Sequence, residues 1–213
     1  SFRRIIYLSN DLYNFLFCKI FGGLIDKKLE LKKSKNFDEI SIKNANINQT
    51  TWLLNINRSF KLLKNIDKEI NFKEYRWIDI GCGNGITSIY VQARYSIKKQ
   101  FLFDINKNCL VFAKRNFLQA SKSVLGKYIK LDFPEITLKD ANTTNLSFKD
   151  KRNSIYYLYN PFNELILNNF LKNNLNNFSQ NDVIIYINDK YSYLIENYLN
   201  IKNLKRNEFF QIS

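Results

Sequence analysis

The stretch that decides the fold lies between Arg76 and Thr87 and reads RWIDIGCGNGIT. Residues 76–80 form a short apolar run typical of a β-strand, and helical spacing begins at Ile86. Between the strand and the helix, every second residue is a glycine: Gly81, Gly83 and Gly85, three of the six in the chain. Because glycine tolerates positive φ and leaves the backbone bare, this stretch predicts a tight strand-to-helix turn against which a ligand can lie.

From this stretch onward, short β-rich runs alternate with longer helical patterns. The predicted strands are Arg76–Ile80, Gln100–Phe103, Ile136–Leu138, Ser154–Tyr159 and Val183–Ile187. The predicted helices are Ile86–Ala93, Asn108–Lys122, Glu164–Asn177 and Tyr191–Leu199. Such alternation is typical of parallel strands joined by crossover helices. We therefore predict an α/β fold, a Rossmann-like, doubly wound and mostly parallel sheet with helices on both faces and ligands at the carboxyl ends of its strands.

Residues 1–75 do not follow this alternation. They predict an amphipathic helix within residues 5–25, a polar stretch, and a second helix over residues 51–66. The polar residues 44–51 are either a plain loop or a set of groups that close over a ligand. We expect a helical N-terminal cap or lid over residues 1–75 and a ligand-binding domain over residues 76–213. The apolar positions of the first helix are Ile6, Leu12, Tyr13, Leu16, Phe17 and Ile20.

The composition excludes several classes of site. The chain has no histidine, so it has neither a histidine general base nor a histidine-containing metal centre. Its three cysteines form no C-x-x-C pair, so we expect no zinc ribbon, no disulfide scaffold and no metal. The longest apolar stretches are interrupted well short of the roughly 18–20 residues that a bilayer span requires. We therefore expect a cytoplasmic protein without a membrane span.

The charge of the chain has two explanations. It carries 33 basic and 19 acidic residues, a formal net charge of +14, and the excess is spread along the sequence. Much of it is lysine in a chain that is also rich in asparagine and isoleucine, as an AT-rich genome would encode. An anionic partner, such as nucleic acid or another acidic substrate, is the other explanation.

The spacing around the glycines narrows the choice of ligand. A phosphate-binding P-loop needs Gly-Lys-Ser/Thr, which is absent here, and the dinucleotide fingerprint needs a small residue where Ile86 stands. The pattern D-x-G-x-G-x-G over Asp79–Gly85 instead resembles the class I S-adenosylmethionine-dependent methyltransferases. The resemblance implies that Asp79 orders the turn and the amino end of the cofactor. It also implies that the methionyl part of S-adenosylmethionine lies over Gly81, Cys82, Gly83 and Gly85.

Two further acidic residues follow predicted strands. Asp104 lies 19 residues after Gly85, at the end of the second strand, and the resemblance implies that it accepts hydrogen bonds from both ribose hydroxyls. Ile105 then contacts the adenine face. After the third strand, Asp140 would accept the adenine amino group, with the backbone amide of Ala141 nearby. Asp132 competes for this role if the third strand instead covers residues 128–131.

The fourth predicted strand ends in YNPF, residues 159–162. Proline cannot donate to a sheet, so Pro161 can be a simple strand terminator. The same residues resemble the N-P-P-Y/F motif of amino-group methyltransferases, although only one proline is present, and are similar to a YNPF form in uncharacterised bacterial class I members. The resemblance implies that Asn160 both contacts the cofactor and orients the acceptor with the help of Pro161, and that Phe162 stacks on the acceptor.

The implied reaction is methyl transfer from S-adenosylmethionine to a nitrogen or oxygen atom of an unidentified substrate, releasing S-adenosylhomocysteine. Such chemistry depends largely on positioning, so it does not require histidine. Tyr157 or Tyr159 is a candidate to assist. A module that binds the cofactor without catalysis and, less favoured because of Ile86, an NAD-type oxidoreductase remain as alternatives. Only residues 200–213 follow the last predicted helix, so the last two strands of the family's sheet are expected to be short or absent.

Overall fold

The computed structural model describes residues 2–26, 51–148, 150, 152–159, 163–188 and 190–199. Five strands lie within these ranges: β1 (Arg76–Ile80), β2 (Gln100–Asp104), β3 (Glu135–Leu138), β4 (Ser154–Tyr159) and β5 (Val183–Ile187). The same ranges contain the helices α1 (Phe2–Ile20), α2 (Leu53–Ile66), α3 (Ile86–Tyr95), α4 (Lys107–Lys122), α5 (Val124–Ile129), α6 (Glu164–Asn174) and α7 (Ser192–Tyr198). Single 3-10 turns cover Phe72–Glu74 and Leu175–Asn177.

The strands form one parallel sheet in the order β3-β2-β1-β4-β5. In the centre, Ile80 of β1 pairs with Phe103 of β2 on one side and with Leu158 of β4 on the other. The carboxyl ends of all five strands therefore meet at one edge, and the strand order reverses between β1 and β4, where such sheets place their ligands. The predicted fold, a Rossmann-like doubly wound sheet, is confirmed.

Each face of the sheet supports its own apolar core, because alternate strand residues point to opposite faces. Trp77 of β1 faces the core that contains buried side chains of α1, α2, α3 and α4. Its neighbour Ile78 faces the other core, which contains buried side chains of α6 and α7. The predicted coverage of both faces by helices is confirmed, and every helix before β3 that contributes to these cores lies on the face of Trp77.

The boundaries of several elements differ from the predicted ones by one to three residues. The second strand reaches Asp104, and the third begins at Glu135. The predicted helix Glu164–Asn177 ends at Asn174 and continues as a 3-10 turn. The short helix α5 was not predicted; Ser123 caps its first turn by accepting a hydrogen bond from the Gly126 amide. The prediction that the last two strands of the sheet are short or absent concerns residues 200–213, which lie outside the described part of the chain.

The first helix packs through an unusual set of side chains. Asn14 is buried on its inner side, donates to the Thr51 carbonyl at 3.0 Å and accepts from the Leu53 amide at 2.9 Å. It thereby caps α2, whose own N-cap residue Trp52 offers no acceptor to the helix. No described helix has both the length and the apolar character needed to cross a bilayer.

The apolar positions that predict an amphipathic α1 do not all lie on its buried side. Ile6, Tyr13 and Phe17 are half-buried, whereas Leu12, Leu16 and Ile20 are exposed. The physical reason is that the hydrogen bonds of Asn14 to Thr51 and Leu53 turn the side of the helix that contains Asn14 towards the protein. The helix carries apolar residues on both sides, so its periodicity does not identify the inner one.

Candidate functional site

The glycine turn is fastened to the neighbouring strand. The amides of Gly81 and Cys82 both donate to the Phe103 carbonyl at 2.9 Å, which continues the contact between β1 and β2 beyond the sheet. Gly81, Gly83 and Gly85 have φ values of +80°, +54° and +75°, in the left-handed region that favours glycine. The predicted turn is therefore present, and its backbone lies at the carboxyl edge of the central strand.

The last glycine also has a packing reason. A Cβ atom on Gly85 would lie 3.1 Å from the Ala113 Cβ and 3.3 Å from the Phe117 ring, both on α4. These distances leave no room for a side chain without movement of the helix. Gly85 thus allows α3 to begin directly against α4, and the loop that precedes it stays close to the end of β2.

Asp104 connects the glycine turn to the second strand. Its side chain is 9% exposed; Oδ2 accepts from the Gly83 amide at 2.8 Å, and Oδ1 accepts from the Asn106 amide at 2.7 Å. Burial raises the pKa of Asp104 to about 6, although hydrogen bonds from backbone amides act in the opposite direction. Each carboxylate oxygen has a second lone pair, so Asp104 can still accept hydrogen bonds from a ligand.

Asp79 lies on the same strand face as Trp77 and is almost fully buried. Its Oδ2 accepts a hydrogen bond of 2.5 Å from Ser88 Oγ, which itself accepts from Trp77 Nε1 at 3.0 Å. Burial raises the pKa of Asp79 to about 7, and the charge of Asp104 adds to the shift. A carboxyl group that ionises near neutral pH is thus held beneath the glycine turn, a common feature of functional sites.

Tyr157 of β4 stands next to Asp79 in the sheet register. Burial, followed by the charge of Asp79, raises the pKa of Tyr157 well above its ordinary value. Thr51 and Thr87 face its hydroxyl, yet no group of the described residues meets that hydroxyl with hydrogen-bond geometry.

The free energy of unfolding is expected to decrease as the pH rises from about 4 to about 7. The pKa of Asp79 is about 7 in the folded chain against an ordinary value of 3.8, so the folded state retains a proton that the unfolded chain releases. Asp104 adds to the decrease up to about pH 6. Urea unfolding at a series of pH values measures the slope, and Asp79→Asn should flatten it. An unchanged slope in that variant would contradict the assignment, and Asp132→Asn is the surface control.

Asp140 reaches the same edge after β3. It is buried, its Oδ1 accepts from the Asn142 amide at 2.8 Å, and the Lys139 amide donates to the Asp104 carbonyl at 3.1 Å. Because Lys139 directly precedes Asp140, this hydrogen bond brings Asp140 close to Asp104. The competing assignment to Asp132 is wrong, because that residue precedes β3 at the opposite edge and its exposed carboxylate pairs with Lys98 at 3.3 Å.

The remaining predicted site residues fall into two groups. Ile105 and Ala141 are half-buried beside Asp104 and Asp140, and Cys82 is buried within the turn with the pKa of its thiol raised by burial. The structure therefore brings the predicted cofactor residues of β1, β2 and β3 to one edge of the sheet. The three predicted catalytic residues, Asn160, Pro161 and Phe162, lie outside the described residues.

Asn116 is a site residue that the sequence interpretation missed. It is fully buried in α4, donates to the carbonyls of Asn84 and Ile25 at 3.0 and 3.1 Å, and accepts from the Ile25 amide at 2.9 Å. Asn84 of the glycine turn in turn donates to Asp26 at 3.1 Å. The segment after α1 is therefore bonded to the turn. The available signal was an asparagine at the helical spacing of Phe117 and other apolar residues of α4.

A comparison with protein families agrees with this geometry. The model described as the methyltransferase small domain matches residues 58–145, which include the glycine turn, Asp104 and Asp140. No curated protein shows a significant match.

Several solved structures are similar to the chain. One is the PH0226 protein from Pyrococcus horikoshii OT3, with 21% identity and a TM-score of 0.46 over 70% of this chain and 60% of that one. Another is CalS10, an amino pentose methyltransferase from Micromonospora echinaspora, with 10% identity and a TM-score of 0.44 over 64% and 50%. A third is StiE O-MT, with 10% identity and a TM-score of 0.45 over 65% and 50%. The chain thus spans half to three fifths of the length of these structures.

Proposed function

We propose that the chain is an S-adenosylmethionine-dependent methyltransferase of class I. The observation that carries the proposal is the hydrogen bond between the Gly83 amide and the Asp104 carboxylate, which joins the glycine turn and the acid after β2 into one site. The family match over residues 58–145 supports the same reaction. The product is S-adenosylhomocysteine, and the acceptor is a nitrogen or oxygen atom of an unidentified substrate.

The chemistry of the site fits S-adenosylmethionine better than a dinucleotide. Three buried carboxyl groups, Asp79, Asp104 and Asp140, lie at one edge of the sheet. Carboxylates suit the amino groups, ribose hydroxyls and sulfonium of this cofactor, whereas they would repel the pyrophosphate of NAD. The dinucleotide fingerprint requires a small residue at position 86, where this chain has Ile86. These features favour the methyltransferase over the oxidoreductase.

Each residue has a proposed role in holding the cofactor. Asp104 accepts from the ribose hydroxyls through its remaining lone pairs, and Ile105 packs on the adenine. Asp140 accepts from the adenine amino group beside the amide of Ala141. Asp79, together with the turn residues Gly81, Cys82, Gly83 and Gly85, holds the methionyl end.

When bound, S-adenosylmethionine would supply a methyl group on a positively charged sulfur, and the carbon of this methyl group is the atom open to a nucleophile. The protein's contribution is positioning, which is worth up to about 7–11 kcal/mol in well-oriented reactions. We propose that Asn160 orients the acceptor with the help of Pro161, and that Phe162 packs on the acceptor. The helices within residues 1–75 act as a cap of the site in this proposal.

Two further features bear on the class of acceptor and on the cellular compartment. The formal charge of +14 supports an anionic acceptor, nucleic acid included, and binding of such an acceptor should then weaken steeply with salt. The three cysteines are free thiols and buried, which supports a reducing compartment such as the cytoplasm.

The proposal is tested by titrating the chain with S-adenosylmethionine and, separately, with NAD in a calorimeter. We expect binding of the first only, and transfer of a radiolabelled methyl group into a fraction of a cell extract. Asn160→Ala should abolish transfer while binding remains, and Asn65→Ala, an exposed position on α2, is the matched control. No binding up to about millimolar concentration contradicts the proposal. Binding without transfer in every fraction assigns a binding module instead.

A further inference from the structure

The outward side of α1 is an apolar surface. We call it the outer stripe; its side chains are between 47% and 66% exposed and follow helical spacing: Ile5, Leu8, Leu12, Phe15, Leu16 and Ile20. The inner side of the same helix contains the half-buried Ile6, Tyr13 and Phe17 beside the buried Asn10, Asn14 and Cys18. A helix that is apolar on both sides is normally covered on both sides. Here the described residues cover only the inner one.

The outer stripe is continuous and long. From Ile5 to Ile20 it extends over four turns, about 22 Å at 1.5 Å per residue. Single exposed apolar side chains are common, but a contiguous stripe of this kind marks a surface that binds something. The aliphatic character of most of its members defines what that partner can be.

Basic residues lie at both ends of the stripe. Helix α1 contains Arg4 and Lys19 there, against one acidic residue, Asp11. The carboxyl end of α1 contacts α4, because the Gln119 side chain donates to the carbonyls of Gly22 and Gly23. Residues 107–130, which form α4 and α5, contain six basic residues and no acidic residue. Four more exposed apolar side chains belong to this pair of helices: Val111, Leu118, Val124 and Tyr128.

The charge distribution argues against a second copy of the chain as the partner. Whether two α1 helices paired in parallel or antiparallel, the basic ends would meet basic ends. The acidic residue available, Asp11, already accepts a hydrogen bond from Trp52 Nε1 at 2.9 Å. Each copy also has a formal charge of +14. Association would therefore be opposed by repulsion between like charges.

An RNA partner fits the charge but not the stripe. Protein surfaces that bind single-stranded nucleic acid stack the bases on aromatic side chains. Five of the six members of the outer stripe are aliphatic. An aliphatic stripe bordered by lysine and arginine is the pattern of a helix that lies in the plane of an anionic bilayer. There the stripe enters the boundary between headgroups and acyl chains, and the basic residues contact anionic headgroups.

We propose that the outer stripe of α1, together with the basic residues of α4 and α5, docks the protein on an anionic phospholipid surface. The stripe faces away from the sheet, whereas the candidate cofactor site lies at the carboxyl edge of the strands. Docking therefore needs no bound cofactor, and it can be tested on the chain without any assay of methyl transfer.

The test is flotation of the chain with two kinds of vesicle, phosphatidylcholine alone and phosphatidylcholine mixed with phosphatidylserine. We expect binding to the mixed vesicles to be stronger by about tenfold or more. The double variant Leu8→Gln with Leu12→Gln should weaken that binding by at least about tenfold, because two exposed leucines can then no longer enter the apolar part of the bilayer. The matched control is Leu165→Gln with Leu175→Gln, two exposed leucines on the other side of the sheet. Circular dichroism and thermal melting verify that both variants fold.

Each alternative outcome overturns the proposal. Absence of binding to the mixed vesicles does so directly, as does an equal loss in the control variant. If the chain instead sediments as a dimer that the stripe variant dissociates, the occupant is a second copy. If it binds an RNA oligonucleotide but no vesicle, and the stripe variant retains that binding, the basic surface serves nucleic acid.

Discussion

Asp104→Asn is expected to weaken the binding of S-adenosylmethionine by about a hundredfold or more. The carboxylate oxygens of Asp104 each accept one backbone amide and keep a lone pair for a ribose hydroxyl. Hydrogen bonds to a charged group contribute about 1.5–3 kcal/mol each, and the replacement loses the charge and one acceptor atom. Isothermal titration of the variant and the original chain measures the change in dissociation constant.

The matched control for this experiment is Asp132→Asn. Asp132 is about half exposed and pairs with Lys98 at the opposite edge of the sheet, so its replacement should leave cofactor affinity unchanged. Thermal melting of the Asp104 variant verifies that the loss arises in a folded protein. Affinity equal to that of the original chain would remove Asp104 from the cofactor site.

Gly85→Ala is expected to reduce the free energy of unfolding by about 2–5 kcal/mol. The left-handed φ of +75° costs alanine about 1–2 kcal/mol. The new Cβ would lie 3.1 Å from Ala113 and 3.3 Å from Phe117, and crowding of this kind in a packed core costs about 1–3 kcal/mol more. Since small domains have about 5–15 kcal/mol in total, urea unfolding should show a large decrease in the midpoint.

Gly23→Ala separates the two costs. Gly23 has almost the same φ, +77°, but the nearest atom to its added Cβ is Gln119 Nε2 at 3.8 Å, an ordinary contact. This variant should lose only the conformational part, about 1–2 kcal/mol. Equal losses in the two glycine variants would show that the contact between Gly85 and α4 costs nothing, contrary to the packing argument.

Much of the sheet could be predicted because its signals are local. A strand residue followed by alternating glycines specifies the turn within seven residues, Asp79–Gly85, and the crossover length then places Asp104 opposite it. Asp140 is harder to place from the sequence, because residues 128–131 and residues 136–138 both have the pattern of a strand. The register of that strand, in which Leu138 pairs with Asp104, resolves the ambiguity.

The parts that were missed depend on contacts between distant residues. Asn14 caps a helix that begins 39 residues later, and Asn116 bonds to Ile25 across 91 residues. No periodicity within α1 reveals that its inner side is chosen by these polar groups. Apolar spacing alone does not say which side of a helix the protein covers, so the predicted apolar positions of α1 include members of both of its sides.

The bonds between Ile25 and Asn116 also set an order of events during synthesis. The two residues are separated by 91 positions, which a ribosome translates in roughly 5 to 20 seconds at about 5–20 residues per second. Until then, α1 has emerged without the helix that holds its carboxyl end, so both of its apolar sides face the surroundings. The nascent chain therefore passes through an interval in which chaperones have access to this helix before the sheet beneath it is complete.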